Sequence, residues 1–309
     1  MSTSEHPPPV YWRLLTDIAN VVLPRRRWAD RLWHRLRFRV HHGRALTDAM
    51  RFNDYLVNLA MSPVFRDPLV VLTTCKAGSK TFLRLLDGTE HVVPTLGLLR
   101  SRLEIDAFEF PETCVIKGTA TSGQVLLKRA GEAVDRRILR RWLGYNRYRV
   151  MREANYGPLD NAVIVEPVIG GTELADDIKM VCRGGRVRWV YCNIHGSEGT
   201  RRRVFNREWQ VLPVSKKLPV AERIPPRPRR FDEMVAAAEK VAGHFDLVRV
   251  DFFLDGEDWW YGEITHFEAA GLTSFIPLEG EQLINELTFG EAAYQGPLEK
   301  HGAMGASGV

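Results

Sequence analysis

Four side chains on one predicted β-hairpin are of the types that bind metal ions and phosphates. Residues 247–254 and 259–265 read as two strands, and the charged positions of the first alternate with apolar ones. The Asp-Gly pair at 255–256 between them is typical of a tight hairpin turn. The alternation places Arg249 and Asp251 on one face of the first strand, which is otherwise suited to burial.

The second strand of this hairpin carries Glu263 and Thr265 on one face of its own. A carboxylate on each arm, with a hydroxyl two residues beyond the second, gives converging hard oxygen ligands. Mg²⁺ selects such ligands and usually completes its coordination with water and nucleotide phosphate oxygens, so the hairpin predicts a metal and nucleotide site. The alternative is structural, with Arg249 and Asp251 forming an ion pair and Glu263 facing solvent.

Length and composition are those of an ordinary globular protein. The 309 residues suffice for two or three small lobes, with 45% hydrophobic and 26% charged residues. A net charge of +5 indicates an anionic partner or surface. The four cysteines form no CxxC motif, which indicates neither a zinc site nor a disulfide framework and fits a reducing cytoplasm. No apolar run reaches the ~18 residues of a membrane span, and the first residues lack a signal-peptide pattern.

The N-terminal part of the chain predicts basic helices. Residues 1–9 are rich in proline and polar side chains and are expected to be disordered, whereas 10–40 follow a helical pattern interrupted at Pro24. Residues 25–44 interleave tryptophan, leucine and phenylalanine with many arginines. Such a segment suits an anionic membrane surface or an acidic partner, and a helix packed on the main body with solvated arginines is an equal alternative. Residues 46–62 are expected to continue as helix.

Two lysines follow a short predicted strand at residues 69–73. The Gly-Ser-Lys-Thr string at 78–81 invites comparison with a P-loop, but the GxxxxGK[ST] spacing is absent, so a P-loop is excluded. Lys76 and Lys80 remain available to meet phosphates on another scaffold. A helical stretch at 82–86 comes next.

Another lysine ends a predicted strand before a loop of small and hydroxyl residues. Residues 114–125 read as a strand ending at Lys117, a loop, and the start of a second apolar strand. Backbone N–H groups of such a loop can close over phosphates, as in other glycine- and serine-containing nests. Alone, this signal is weak, because a lysine on a strand is commonplace.

Two further stretches place polar side chains on predicted strands. Residues 161–169 form an almost wholly apolar strand interrupted by Glu166, which could bind an adenine amine or a ribose hydroxyl or could simply lie at a sheet edge. Residues 177–181 and 186–191 form a hairpin about a Gly-Gly turn, with Lys179 on the face opposite Met180.

The remaining segments complete the predicted order of elements. A basic loop at 200–203 could bind an acidic substrate or a triphosphate, and 219–230 is a connector rich in proline and arginine. An amphipathic helix at 231–245 leads into the first hairpin. A last helix is predicted at 280–294, before a tail expected to be disordered.

The ordered motifs resemble one family, the TupA-like branch of the ATP-grasp superfamily, named for a protein of teichuronopeptide biosynthesis. The resemblance covers roughly residues 40–280 and is carried by VIKGTATSG, IVEPVI, DIKMVCRGGRVRWV, FNREWQVLP and LVRVDFFLDGEDWWYGEITHFEAAG. It implies an α+β fold in which two lobes hold ATP·Mg²⁺ between them, behind a helical N-terminal extension. The implied organisation is a basic helical extension (1–66), an N-terminal α/β segment (67–112), a small lobe (113–170), a large lobe with the metal-binding hairpin (171–295) and a tail (296–309).

The resemblance also implies a role for each candidate residue. Catalytic roles fall to Arg249 and Lys179. Contacts to ATP fall to Lys76, Lys117, Thr121, Ser122, Gly123, Glu166 and Asp177. Magnesium ligands are Asp251, Glu263 and Thr265, the last standing where many relatives have asparagine.

The implied function is an ATP-dependent carboxylate–amine ligase that works through an acyl phosphate. Its substrates would be a small amine, such as an amino acid, and an acidic acceptor, such as a cell-surface polysaccharide precursor or a specialised metabolite. The sequence departs from the family pattern around Lys76 and after Lys117. These departures bear on the identity of the substrate more than on the prediction of ATP binding. The alternatives are a glycosyltransferase-like protein of polysaccharide biosynthesis, for which no DxD triplet is present, and a nucleotide-binding pseudoenzyme. The expected location is cytoplasmic, peripheral to the inner membrane face if the basic helix binds lipid, and no nucleic-acid partner is expected.

Overall fold

The computed structural model of the chain describes residues 10–170, 177–195 and 199–296. The predictions for residues 1–9 and for nearly all of the tail therefore lie outside the described residues. Within these ranges no helix is both long and apolar enough to cross a membrane.

Three helices form the N-terminal region. They are α1 (Val10–Val22), α2 (Arg27–His42) and α3 (Phe52–Met61). The break between α1 and α2 includes Pro24, as predicted, because proline lacks the N–H that would continue the helix. Helix α2 ends at Gly43, whose left-handed backbone (φ 69°) lets its N–H donate to the carbonyl of Arg39. Helix α3 starts later than the sequence predicts.

The prediction of a strand at residues 69–73 is wrong, because this segment lies in helix α4 (Pro68–Thr74). Pro68 occupies the first turn, and the Asp67 carboxylate caps it by accepting a hydrogen bond from the Leu69 N–H at 2.8 Å. These start signals outweigh the β preference of the valines that follow. Helix α5 (Lys76–Asp87) comes directly after, so Lys76 and Lys80 stand one helical turn apart.

A four-stranded antiparallel sheet forms the smaller lobe. Its strands are β1 (Gly97–Leu99), β2 (Cys114–Gly118), β3 (Val125–Lys128) and β4 (Val163–Glu166), in the order β1-β4-β2-β3. The predicted strand–loop–strand around Lys117 is therefore present. Helices α6 (Arg102–Ala107) and α7 (Arg136–Leu143) pack on this sheet, and the core they form with it includes Ile105, Ile116 and Leu139. A short helix, α8 (Arg147–Met151), follows before β4. Because β1 belongs to this sheet, residues 67–112 do not form a separate unit.

A five-stranded antiparallel sheet forms the larger lobe, in the order β10-β9-β5-β6-β7. Its strands are β5 (Asp177–Arg183), β6 (Arg186–Ile194), β7 (Arg201–Asn206), β9 (Leu247–Asp255) and β10 (Asp258–Thr265). The prediction of a basic loop at 200–203 is wrong, because the three arginines of this segment begin β7, which pairs with β6. The two hairpins predicted around Gly184 and Gly256 are both present.

Each face of the larger sheet has its own core. Helix α9 (Phe231–Ala242) packs on one face with Met180, Val250 and Phe252. Helices α3 and α10 (Gly280–Phe289) cover Trp189 on the other face. Helix α10 ends before the predicted Tyr294, and a short pair of strands, β8 (Ser215–Lys216) and β11 (Phe275–Ile276), lies beside it. The half of this second face that α3 and α10 leave uncovered carries the polar residues of the hairpin.

Candidate nucleotide and metal site

A β-bulge brings the two carboxylates of the β9–β10 hairpin onto the same face. Tyr261 pairs with Phe252, but the next pair is Glu263 with Asp251, so one residue, Gly262, is extra on β10. Without this shift Glu263 would point into the core, because side chains alternate between the two faces of a strand. A Cβ atom at position 262 would lie 3.2 Å from the Asp251 carbonyl oxygen, so glycine suits the bulge.

Arg249 is held at the centre of this face. Its Nε and Nη2 atoms donate to the two carboxylate oxygens of Asp251 at 2.6 and 2.7 Å, a two-point ion pair. Its Nη2 also donates to Thr265 Oγ1 at 3.1 Å, and its Nη1 donates to Glu268 Oε1 at 3.1 Å. Burial acts to lower the pKa of Arg249, but Asp251 and the neighbouring acidic groups raise it overall, so the guanidinium stays charged.

Lys179 stands next to the same carboxylate. It pairs with Asp251 across the β5–β9 ladder, its Nζ lying 3.3 Å from Asp251 Oδ2, and it also forms an ion pair with Asp177. The hairpin and β5 thus present two neighbouring carboxylates, Glu263 and Asp251, followed by the ammonium group of Lys179, on three adjacent strands. The sequence pattern placed these residue types on strands, and the sheet brings them together.

Glu268, for which the sequence predicted no role, is also part of this network. Its carboxylate, only 5% exposed, contacts Arg249 and also forms an ion pair with Lys216 and a hydrogen bond with the Tyr191 hydroxyl. Burial acts to raise the pKa of Glu268, and Lys216 and Arg249 lower it well below its usual value. Glu268 therefore stays ionised and fixes the far side of the Arg249 guanidinium.

We expect Glu268→Gln to destabilise the protein at neutral pH by about 3–5 kcal/mol, because it leaves Lys216 and Arg249 buried with too little countercharge. Urea unfolding measures this loss, and exposed Glu279→Gln is the control. Since the folded-state pKa of Glu268 is lowered from 4.5, its contribution is present above pH 4.5 and lost as the pH falls further. The variant should therefore lose less stability than the wild type on acidification, and equal losses would contradict the assignment.

On the smaller lobe one carboxylate holds two lysines. Lys117 Nζ on β2 lies 2.7 Å from Glu166 Oε2 on β4, and Lys80 pairs with the other oxygen. Lys80 Nζ also donates to the Val93 carbonyl oxygen at 2.7 Å. Burial acts to raise the pKa of Glu166, but the two lysines lower it overall. Glu166, predicted to contact the adenine or the ribose, lies beside Lys117 and Lys80 and borders an apolar cleft.

Lys76 connects the two lobes. Its Nζ donates to the carbonyl oxygen of Thr121 in the loop after β2 at 2.7 Å and lies 3.5 Å from Glu263 Oε1 on β10. Burial acts to raise the pKa of Glu263, but Lys76 first, and the other cations of the site, lower it overall. Glu263 is therefore ionised at neutral pH, with its side chain 35% exposed.

The loop at residues 118–124 is tied to its surroundings by backbone hydrogen bonds. The Thr119 N–H donates to the Ala162 carbonyl, and its own carbonyl accepts from the Lys76 N–H. Asn161 Oδ1 accepts from the Ala120 N–H at 2.8 Å. Gly123 adopts a left-handed conformation (φ 85°), which favours glycine.

The three loop residues predicted to bind ATP face different surroundings. Thr121 is 1% exposed and packs its side chain inside the loop, towards Gly118, so its side chain is not presented to a ligand. Ser122 is exposed and borders a polar cavity next to Glu263. Gly123 is exposed at the turn of the loop, where only its backbone could meet a phosphate.

An apolar cleft of about 280 Å³ lies between the two sheets, next to Lys117 and Glu166. Its apolar walls come from both lobes and include Val93, Val115, Val125, Leu127, Ile169 and Phe253. Asp177 and His195 also border it, so the cleft has few polar groups and one charged end. A mostly apolar cleft with a few converging polar groups is the usual form of a small-molecule site.

The hairpin residues fit the ligand preferences of Mg²⁺. Asp251 and Glu263 lie directly opposite each other on neighbouring strands, and both contribute carboxylate oxygens. In the described parts of the chain, no three His, Cys, Asp or Glu side chains gather closely enough for a complete protein-only metal site. Two carboxylates are what Mg²⁺ typically uses when nucleotide phosphates supply further oxygens. The Thr265 hydroxyl and both Asp251 oxygens accept hydrogen bonds from Arg249, so Glu263, whose ion pair with Lys76 is 3.5 Å long, is the most available of the three predicted ligands.

A second, polar cavity of about 130 Å³ opens on the other side of Glu263 and Arg249. We call it the acceptor cavity; it is lined by Thr74, Ser122, Arg147, Glu153, Asn155, Tyr156, Arg249, Glu263, Ile264, Thr265, His266, Phe267 and Ala269. Asn155 is 2% exposed, and its Oδ1 has no hydrogen-bond partner among the described residues. The same is true of the Arg147 Nε atom. Neither residue was predicted from the sequence, and both lie in the short helical turns before β4.

A family model decides the identity of the fold: the model of the TupA-like ATP-grasp family matches residues 61–288. The chain belongs to this family. ATP-grasp proteins form a superfamily of ATP-dependent ligases, and the two sheets of this TupA-like ATP-grasp protein correspond to its two lobes, as the resemblance implied. No curated protein matches the chain.

Several solved ATP-grasp ligases are similar to this TupA-like protein at low identity. The ligase PsnB in complex with a minimal precursor is 14% identical, with a TM-score of 0.39, over 65% of this chain and 54% of that one. D-Alanine–D-alanine ligase from Bacillus anthracis is 16% identical, with a TM-score of 0.37, over 63% and 57% of the two chains. D-Alanyl-alanine synthetase A from Vibrio cholerae O1 is 17% identical, with a TM-score of 0.40, over 71% and 62%. The chain thus spans less than two thirds of the length of these structures.

Proposed function

We propose that this TupA-like ATP-grasp protein joins a carboxylate to an amine, consuming ATP through an acyl-phosphate intermediate. One observation carries the proposal: Arg249, Asp251 and Glu263 lie between an apolar cleft on one side and a polar cavity on the other. The apolar cleft suits a nucleotide and the polar cavity suits a small polar substrate. The phosphates of the nucleotide and the reacting group of the substrate would therefore meet at the hairpin.

ATP would bind with its base in the apolar cleft and its phosphates towards the lysines. Phe253 lies in the wall of the cleft, with Lys117 Nζ 5.4 Å from the centre of its ring. Lys117 and Lys80 share the Glu166 carboxylate, which keeps two cations close together at the end of the cleft. Two neighbouring cations suit a polyphosphate, whose negative charges need countercharge on several oxygens.

We expect Lys117→Met to weaken Mg·ATP binding about 10- to 150-fold, the loss of one charge-assisted contact of about 1.5–3 kcal/mol. Calorimetric titration with a non-hydrolysable ATP analogue measures the dissociation constant. Lys128→Met is the matched control, because Lys128 lies on the neighbouring strand and its Nζ donates instead to the Glu112 carbonyl oxygen. Equal affinity for both variants would remove Lys117 from the phosphate site.

Mg²⁺ would be held by Asp251 and Glu263 and would supply neutralisation of phosphate charge when bound. The chain itself supplies the remaining cations. Arg249 would face the oxygens of the transferred phosphoryl group, and Lys76 would face the same group from the loop side. Fixed positive charges around a transferring phosphoryl group lower the barrier, because the attacking carboxylate and the phosphate are both anionic.

The proposed reaction has two steps. A carboxylate oxygen of the first substrate forms a bond to the γ-phosphorus of ATP, and the bond from that phosphorus to the bridging oxygen breaks, releasing ADP. The amine nitrogen of the second substrate then attacks the acyl carbon, and phosphate leaves with the electrons of the carbon–oxygen bond. The nitrogen loses its proton, and the product is an amide. Exclusion of water from the acyl phosphate favours the amine, which suits a site bordered by Ser122 of the loop at 118–124.

The acceptor cavity would bind the amine substrate, which accepts the acyl group in the second step. At about 130 Å³ it equals roughly four water volumes, which fits a small polar group rather than a large one. Asn155 Oδ1 offers an unused acceptor and Arg147 Nε an unused donor. A substrate with both an amine and a carboxylate, such as an amino acid, would satisfy both. The larger substrate could be a cell-surface polysaccharide precursor or a specialised metabolite.

The test is ATP consumption with Mg²⁺ in pools that combine amino acids with acidic acceptors. The expected result is ADP and phosphate, released only when a carboxylate and an amine are both present. Release of AMP and pyrophosphate would contradict the acyl-phosphate route. Tight Mg·ATP binding without turnover in any pool would favour a nucleotide-binding pseudoenzyme over a ligase.

Once a substrate pair is known, we expect Arg147→Met to raise the KM of the amino-acid substrate about tenfold or more, since one charged contact is worth at least about 1.5 kcal/mol. The affinity for Mg·ATP should not change, because Arg147 borders the acceptor cavity and not the apolar cleft. The control is Arg149→Met on the same helix, whose side chain is exposed. A parallel rise in both variants, or an effect on ATP alone, would refute the assignment.

A further inference from the structure

Helix α1 presents an apolar stripe to solvent. Five large side chains occupy it at the helical spacing i, i+1, i+4, i+7 and i+8, which puts them on one face. They are 45–83% exposed and comprise Leu14, Leu15, Ile18, Val21 and Val22. An amphipathic helix of a globular protein normally turns such a stripe towards the core. Here the stripe points away from the protein.

The opposite face of α1 is attached to the body of the protein, so the outward direction of the stripe is fixed. Trp33 Nε1 donates to the Thr16 carbonyl oxygen at 3.1 Å. Arg152 Nε donates to Asn20 Oδ1 at 2.8 Å, and Asn20 Nδ2 donates to the Val150 carbonyl oxygen at 2.9 Å. Arg152 is itself only 1% exposed. The helix cannot roll to bury its apolar side without breaking these contacts.

Helix α2 extends this surface with aromatic and basic side chains. Trp28 and Leu32, one turn apart, are 57% and 51% exposed. Arg27, Arg31 and Arg35 follow one another at intervals of four residues and are exposed as well. None of the ion pairs formed within the described ranges includes these three arginines. The result is a mainly apolar and basic surface, to which α1 also contributes one exposed carboxylate, Asp17.

We propose that this surface of α1 and α2 docks on an anionic lipid bilayer, with the apolar stripe at the boundary of the acyl chains and the arginines against the headgroups. Exposed apolar side chains with flanking arginines and a tryptophan are the features of helices that lie in a membrane interface. A second copy of the chain fits less well, because a twofold contact would place the same arginines against each other. The proposal goes beyond ligase chemistry and would bring the enzyme to acceptors held at a membrane surface.

The experiment is co-sedimentation of the full chain with vesicles of phosphatidylcholine alone and with vesicles of equal parts phosphatidylcholine and phosphatidylglycerol. We expect binding to the anionic vesicles and at least about a tenfold lower affinity for the neutral ones, with binding weakened by added salt because charges at a surface are screened. Absence of binding to the anionic vesicles would overturn the proposal. Equal binding to both kinds of vesicle would overturn the role of the arginines.

Two double variants separate the two parts of the surface. Ile18→Asp with Val21→Asp should abolish vesicle binding, and Arg31→Gln with Arg35→Gln should remove the preference for anionic vesicles. Leu103→Asp, at an 81% exposed position on α6, is the control for an added carboxylate, and thermal melting checks the fold of every variant. Wild-type binding by the Asp double variant would overturn the proposal. So would a concentration-dependent dimer that the same substitutions dissolve without any effect on vesicles.

These results stand apart from the proposed reaction. Vesicle binding requires no ATP and no substrate, so it tests the surface even if the ligase proposal fails. Conversely, ATP consumption in solution with soluble substrates should be the same for the Asp double variant and the wild type, because α1 contributes no residue to the apolar cleft or the acceptor cavity. Loss of soluble activity in that variant would show that the helix acts on the site and not on a membrane.

Discussion

Replacing Glu263 by glutamine is expected to reduce Mg²⁺-dependent turnover by roughly 10²–10³-fold, the usual loss when one charge-stabilising group leaves an active site. Glutamine keeps the size of the side chain and removes its charge, so the change acts on metal binding more than on packing. Because the Glu263 side chain is 35% exposed, its replacement should cost little stability. Steady-state rates as a function of Mg²⁺ concentration measure the effect, and the concentration needed for half-maximal rate should rise.

The matched control is Glu257→Gln in the turn of the same hairpin, where the carboxylate is exposed and pairs with Arg229. Asp251→Asn tests the other predicted metal ligand. It should lower the stability of the protein more than Glu263→Gln does, because it leaves Arg249 and Lys179 without their shared counterion. A wild-type rate and Mg²⁺ dependence for Glu263→Gln would refute the metal assignment. A loss that excess Mg²⁺ partly restores would instead support ligation by Glu263.

The sequence predicts the hairpin but not the bulge that makes it a site. Counting outward from the turn at 255–256 would pair Asp251 with Gly262 and would place Glu263 opposite Val250, towards the core. Only the extra residue at Gly262 returns Glu263 to the face of Asp251. Such a shift depends on packing against neighbouring strands, which a single-sequence pattern does not record. The convergence of the two carboxylates was predicted from the sequence, but the bulge that produces it was not.

The wrong prediction of a strand at 69–73 also prevented the relative positions of Lys76 and Lys80 from being predicted. Read as a strand, this segment leaves Lys76 and Lys80 in an irregular connection, with no defined relation between them. As helix α5 begins at Lys76, the two ammonium groups fall on one side of a helix. Lys80 can then reach Glu166 while Lys76 reaches Glu263. The cap at Asp67 was the local signal, and it outweighs the strand preference of the valines that follow.

The acceptor cavity is the part that sequence analysis could least foresee. Arg147 and Asn155 lie in short helical turns without hydrophobic periodicity, and they meet β10 only through the tertiary fold. The surroundings of these residues show their possible role. Asn155 is almost wholly buried, yet its side-chain oxygen has no hydrogen-bond partner among the described residues. A buried polar atom in that state favours a ligand or water. No residue pattern along the chain carries that information.

Arg249→Lys is expected to lower kcat about 10²-fold or more, although the positive charge is kept, because a mispositioned charge fails to match the transferring group. The guanidinium of Arg249 contacts Asp251 at two points and also contacts Thr265 and Glu268. A lysine ammonium is a single point and cannot keep all of these contacts. We therefore expect the rate of the chemical step to fall while the affinity for Mg·ATP changes little.

Single-turnover measurement of ADP formation separates this chemical step from substrate binding and product release. The control is Arg186→Lys on β6, an exposed arginine of the same sheet. Thermal melting must accompany the kinetics, because Arg249 balances two buried carboxylates and a weaker fit at this position also lowers stability. If the folded Arg249→Lys variant forms ADP at the wild-type rate, the arginine holds the sheet together and does not stabilise the transferred group. A slow chemical step with unchanged nucleotide affinity would support its assignment to the transition state.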